Sequence, residues 1–161
     1  MNRRIVLDHT LCTNCRLCSV VCSVKKERVS DPSQARVQVV ADEMAGVFLP
    51  VFCRHCEDPP CAEVCPVEAI SRDEASGLVV LNEKECIGCE ECVSACPYGG
   101  ATWHAQNEKV LRCDQCDGDP ECVKFCFSQA LTFQACVPEY EKQARAASAE
   151  MLTKMLETVG P

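Results

Sequence analysis

The sequence has little that would cross a membrane, bind nucleic acid or fill a large core. Its longest apolar-looking stretch, GVFLPVFC at 46–53, is far shorter than the roughly 20 residues a membrane span needs. The N-terminal run MNRRIVLDHTLCTNC carries a basic pair, Arg3-Arg4, with no apolar region of signal-peptide length behind it. A cytoplasmic location is the expectation, with no direct membrane insertion. Basic residues are outnumbered, 16 against 24 acidic, for a formal net charge of −8. Nucleic-acid binding needs clustered basic charge to displace counterions, so this balance argues against it. Aromatic residues make up only 5% of the 161 residues, which is thin for a core. Three histidines and no convincing nucleophile–base pair argue against an active site.

Cysteine is what the chain has in quantity: 17 residues. Such density means a disulfide scaffold or a metal protein, and a cytoplasmic location favours metal. Sixteen of them form four groups of four: Cys12, Cys15, Cys18, Cys22; Cys53, Cys56, Cys61, Cys65; Cys86, Cys89, Cys92, Cys96; and Cys113, Cys116, Cys122, Cys126. Groups one and three have the spacing C-x2-C-x2-C-x3-C, while groups two and four widen the middle gap with EDPP and DGDPE. Similar tails follow three of them, PVEAI, PYGGA and FSQAL, so the chain is an internal repeat. Short strand-like runs lie between the groups: RIVL at 4–7, RVQVV at 36–40, GVFLPVF at 46–52, GLVVL at 77–81 and ALTF at 130–133. The polar RDEASG before Leu78 reads as a hairpin turn.

The spacing points to [4Fe–4S] clusters. Cysteines at i, i+3 and i+6 let one loop wrap three corners of a cubane. The fourth, a helical turn later, reaches a second cluster, and a proline commonly follows it. Proline restricts the residue before it to extended geometry. The helical turn is therefore expected to end at the cysteine, and the chain to leave as a short strand. Structural zinc uses two separated ligand pairs around one ion, which gives no reason for a third cysteine two residues later. Groups two and three both end in Cys-Pro and lie close in sequence. Groups one and four share a departure, Ser23 and Phe127 standing in place of the proline. The four groups then pair as two units, one inserted in the other, with Phe127 expected as an apolar cover for the neighbouring cluster.

With the motifs CRHCEDPPCAEVCP and CIGCEECVSACP and the outer groups around them, residues 3 to 135 resemble the four-cluster ferredoxin-like electron-transfer subunits of redox complexes. These include the iron–sulfur subunits of molybdenum and tungsten oxidoreductases and of hydrogenase and carbon-monoxide dehydrogenase systems. GDPECVKFC is most similar to small subunits accompanying tungsten aldehyde oxidoreductases. The resemblance implies an α+β fold of two ferredoxin-like dicluster units, one nested inside the other, and the helical pattern of the tail adds a C-terminal helix. The outer unit would span 1–35 and 97–137, the inserted unit 36–96, and the helix 138–161. It also implies the ligand sets: Cys12, Cys15, Cys18 and Cys126; Cys113, Cys116, Cys122 and Cys22; Cys53, Cys56, Cys61 and Cys96; Cys86, Cys89, Cys92 and Cys65.

Several single residues carry a bland reading beside a functional one. His55 would be surplus as a ligand, so packing or support of the site is favoured. Trp103 and Tyr98 suit cluster shielding better than an electron route. Cys136 belongs to no group and reads as a small buried hydrophobe. In the tail, Tyr140, Ala144, Ala147, Met151, Met155 and Val159 recur at helical steps. That stripe could equally pack on its own domain or dock on a partner or a second copy.

The expected function is non-catalytic. A four-cluster subunit would relay electrons between a catalytic oxidoreductase subunit, best matched to a tungsten or molybdenum aldehyde oxidoreductase, and a second redox partner. The alternatives are a free soluble polyferredoxin and a scaffold with structural clusters. Sixteen thiolates, offset by four oxidised cores at about +2 each, would take the loaded protein to about −16. Basic partner surfaces would follow from that charge.

Overall fold

Alternation builds the first strand. In Arg3–Leu7 (β1), Ile5 and Leu7 face inward. This strand pairs antiparallel with Leu131–Ala135 (β8), Ile5 opposite Phe133 and Leu7 opposite Leu131. A computed structural model describes residues 3–135; Cys136 and the 138–161 helix lie outside the described residues. The first and last described strands are thus partners, and the intervening chain is held between them.

Three more antiparallel pairs lie within that span. Val37–Asp42 (β2) pairs with Val47–Phe52 (β3), and Ile70–Arg72 (β4) with Val79–Leu81 (β5). Ala101–His104 (β6) pairs with Lys109–Arg112 (β7). The four sheets are two-stranded, a size that is marginal in water without further support. RDEASG forms the expected turn: Ser76 N–H donates to Asp73 Oδ2 at 2.8 Å, and Gly77 takes φ 64°. Strand exits after Cys65 and Cys96 were expected, and β4 and β6 supply them. β7 had no sequence signal of its own; it completes a hairpin whose turn is closed by Asn107 N–H donating to His104 Nδ1 at 3.2 Å.

The helices follow the cysteine groups. Leu17–Glu27 (α1) has 11 residues. Pro60–Glu63 (α2), Glu91–Ser94 (α3) and Glu121–Lys124 (α4) are single turns of 4. α1 packs on α4, and Lys25 meets Glu121 at 3.5 Å. Among the described residues no helix is long and apolar enough to cross a membrane.

Two apolar cores form. One joins Ile5, Leu7 and Leu131 with Val37, Leu49, Val51 and Phe52. The other joins Ile70 and Val79 with Ala101 and Val110, Trp103 packing against it. Core membership therefore puts the β2–β3 hairpin with the outer cysteine groups and β6–β7 with the inner ones. A division by chain order, at 36 and 97, divides the hairpins differently. Each sheet buries its apolar face on the nearest half, whichever side of a cysteine group it follows.

Candidate metal centres

The repeat in sequence is also a repeat in backbone. The second residue of each first gap is left-handed: Asn14 (φ 56°), His55 (48°), Gly88 (70°) and Gln115 (58°). This conformation is free only for glycine and costs the other three roughly 1–2 kcal/mol each. Strain of this kind persists where the surroundings impose it, commonly at functional sites. It turns each loop back so that its cysteines face inward. A second shared turn follows the fourth cysteine. Glu68, Gly99 and Gln129 donate N–H to the carbonyls of Cys65, Cys96 and Cys126 at 3.2, 3.4 and 3.0 Å. All three donors have positive φ.

This turn corrects the expected part played by proline. α2, α3 and α4 stop at the same point, two residues before the cysteine, although Phe127 and not proline follows Cys126. Pro66 and Pro97 occupy the second position of the exit turn, where proline's fixed φ is suitable but not required. After Cys22 no such turn forms, and α1 runs on through Ser23 to Glu27. The expected cover is also corrected. Phe127 is 84% exposed, and it is Phe125 that lines the cavity beside Cys126.

Four separate cavities are ringed by cysteines. Cys12, Cys15, Cys18 and Cys126 line one, with Val39, Pro50 and Leu131. Cys22, Cys113, Cys116 and Cys122 line another, with Ile5, Phe52, Lys26 and Arg36. Cys53, Cys56, Cys61 and Cys96 line a third, with Tyr98, Val79 and Arg112. Cys65, Cys86, Cys89 and Cys92 line the fourth, with Ile70, Leu81 and Ile87. Each holds about 300 to 350 Å³ of empty space, counting the open mouth. Among the described residues no three His, Cys, Asp or Glu side chains close on a single-ion site. Four thiols around each cavity suit the four corners of a cubane.

Donors converge on these sulfurs. Arg36 N–H donates to Cys22 Sγ at 3.2 Å, Gly100 N–H to Cys96 Sγ at 3.2 Å, and Leu131 N–H to Cys126 Sγ at 3.3 Å. Such bonds favour the thiolate form. Burial acts the other way, pushing Cys18 up to about 11 and Cys113 and Cys122 up as well. These thiols need a cationic core to ionise against, as metal loading provides. Cys53 departs from that trend. Burial pushes it up, but the Arg112 guanidinium, donating to its sulfur, pulls it back down.

His55 is 1% exposed and supports the site from behind. Its Nδ1 accepts the Val79 N–H at 3.0 Å. Nδ1 therefore has no proton for Cys53 Sγ, 3.9 Å away, and the pull on Cys53 comes from Arg112. Among the described residues, the Nε2–H that this tautomer leaves is buried without a protein partner, as is Arg112 Nε. Trp103 lies over Gly88, where an added Cβ would sit 2.9 Å from its ring. Gly100 backs onto Cys53: a Cβ there would sit 2.7 Å from Cys53 Cα. Sequence reasoning missed Arg112 and Gly100. The basic residue before Cys113 and the glycine pair after Tyr98 were the only signals, and neither reveals what it touches.

The chain is similar to known proteins. The 4Fe-4S dicluster domain profile matches residues 44–136. The polyferredoxin-like subunit of an aliphatic sulfonate oxidoreductase from Pyrococcus furiosus is 40% identical over 122 residues, covering 76% of this chain and 70% of that protein. The putative electron transport protein YsaA of Escherichia coli is 38% identical, covering 81% of this chain and 88% of that one. The thiosulfate reductase electron transfer subunit PhsB of Salmonella typhi is 35% identical, covering 82% and 76%.

Proposed function

The chain belongs to the 4Fe-4S dicluster domain family, and from that premise we propose that it is a non-catalytic electron-transfer subunit carrying four [4Fe–4S] clusters. The observation that carries this reading is the gathering of sixteen cysteines, four around each of four cavities. The ligand sets are those cavity linings, and the two dicluster units nest, groups two and three lying inside groups one and four. A bound cluster supplies one-electron transfer without making or breaking bonds. The chain supplies spacing, sulfur hydrogen bonds and exclusion of water.

Exposure orders the four sets. Cys15 and Cys89 are exposed, one in the Cys12 set and one in the Cys86 set. The sets between them hold no exposed cysteine: Cys22, Cys113 and Cys122 are buried in one and Cys53 and Cys61 in the other, against Cys92 alone in the Cys86 set. The Cys113 and Cys53 sets adjoin through the neighbours Phe52-Cys53 and Arg112-Cys113. Electrons enter at one exposed set, pass the two buried ones and leave at the other. The two partners dock at those ends: a catalytic oxidoreductase subunit, with a tungsten or molybdenum aldehyde oxidoreductase the first to test, and a second redox protein. The cytoplasm is the proposed location.

Anaerobic purification with iron and sulfide analysis and EPR tests this. About sixteen irons and reversible reduction of the clusters are expected. About eight irons would sink the four-cluster claim, and clusters that cannot be reduced reversibly would favour a scaffold. The metal content of a co-purified large subunit identifies the catalytic partner; a subunit without tungsten or molybdenum removes that assignment, and a protein that purifies alone is a free polyferredoxin.

A further inference from the structure

Arg112 is the last residue of β7, immediately before Cys113, yet its side chain serves a different set. Nη2 donates to Cys53 Sγ at 3.2 Å and Nη1 to Cys61 Sγ at 3.4 Å. Arginine and both cysteines are buried, at 8, 7 and 7% exposure. Among the described residues no carboxylate forms an ion pair with it, and its Nε has no protein partner. An arginine so placed is costly unless an anion faces it; its hydrogen bonds go to thiols of the Cys53 set, and its charge reaches Cys92 of the Cys86 set without a hydrogen bond. The neighbouring Cys86 set differs in sign: its cavity lining includes Glu90 and no Lys or Arg.

We propose that Arg112 raises the reduction potential of the cluster in the Cys53 set above that of the cluster in the Cys86 set, making the step inward from exposed Cys89 downhill. The proposal rests on the four-cluster reading. Adding one electron from a reductant makes a cluster one unit more negative, with no bond formed and no proton moved. A fixed buried cation stabilises that reduced form more than the oxidised one. Net charge and hydrogen bonds to sulfur are the established determinants of such potentials, and both act here through one side chain. The guanidinium does so permanently, because it does not lose its proton in proteins.

The test is an EPR-monitored redox titration of the anaerobically purified protein, with dithionite as reductant, in wild type, Arg112→Gln and Arg112→Lys. Cys56→Ser, which alters the same set without touching Arg112, identifies the signal to follow. In Arg112→Gln that midpoint falls furthest while iron content stays at the wild-type level; Arg112→Lys restores most of the shift. Unchanged midpoints with full iron overturn the proposal, as does an equal shift of all four. Should Arg112→Gln lose iron, Arg112→Met keeps the packing of the stem and is read in its place. Loss of iron in both neutral variants makes the residue a structural one and also overturns it. Failure of the four-cluster reading is separate, since it shows in the wild type as too little iron before any variant is compared.

Discussion

At the scale of single residues, the sites depend on backbone positions as much as on sulfur. Gly100 is the sharpest case. Its N–H donates to Cys96 Sγ, and its missing side chain lets the Cys53 backbone approach. Gly100→Ala puts a Cβ 2.8 Å from Cys53 N, an overpacking worth about 1–3 kcal/mol. The expected outcome is loss of iron from the Cys53 set with the other sets kept, measured by iron analysis and EPR. Gly46→Ala is the control. Nothing lies within 4 Å of the added Cβ, so only the strain of its positive φ, about 1–2 kcal/mol, appears, as a drop in thermal midpoint with iron unchanged.

At the scale of elements, the two groups without proline behave differently. Ser23 is 0% exposed within α1, its Oγ donating to Val20 O at 2.9 Å and accepting from Asp31 N–H at 3.2 Å. Phe127 occupies a turn position that proline fills in two sister groups. Ser23→Pro should therefore cost about 3 kcal/mol or more, by losing a helix hydrogen bond and clashing with the preceding turn. Phe127→Pro should be neutral or gain up to about 1 kcal/mol through the unfolded chain. Thermal unfolding of the loaded variants checks both; equal destabilisation would show that the exit turn is not shared. The difference between Ser23 and Phe127 was illegible in sequence, because both look like the same missing proline. What separates them is the segment after the cysteine, which continues as helix in one group and reverses in the other.

At the scale of the whole molecule, distant segments are tied by sulfur and by charge. Cys126 lies with Cys12, Cys15 and Cys18, and β1 pairs with β8 beside them. Cys126→Ala should damage the cluster of the Cys12 set; EPR loss confined to the Cys113 set would contradict the crossed pairing. Glu27 joins the entry to β2 and the β6–β7 hairpin, through Arg36 at 2.6 Å and Lys109 at 2.9 Å. Burial pushes its carboxyl up, but these two cations hold it below the usual glutamate range. A lowered folded value contributes stability above the unfolded pKa, and that contribution is lost as pH falls through the folded one. Glu27→Gln should therefore melt below wild type at pH 7, with the gap closing below about pH 4. A gap constant with pH would mean that Glu27 acts by packing alone.

The sequence by itself determined the sixteen ligand candidates, their grouping, and the strands RIVL, RVQVV, GVFLPVF, GLVVL and ALTF. Metal-ligand spacing and alternation are local properties, written within a few residues. Only the tertiary structure decided which hairpin joins which core, why Ser23 and Phe127 differ, and that Arg112 reaches across from one cysteine set to the next. Those outcomes depend on which faces meet and on what a buried charge finds opposite it. Both are relations between segments far apart in the chain, and no local pattern encodes them.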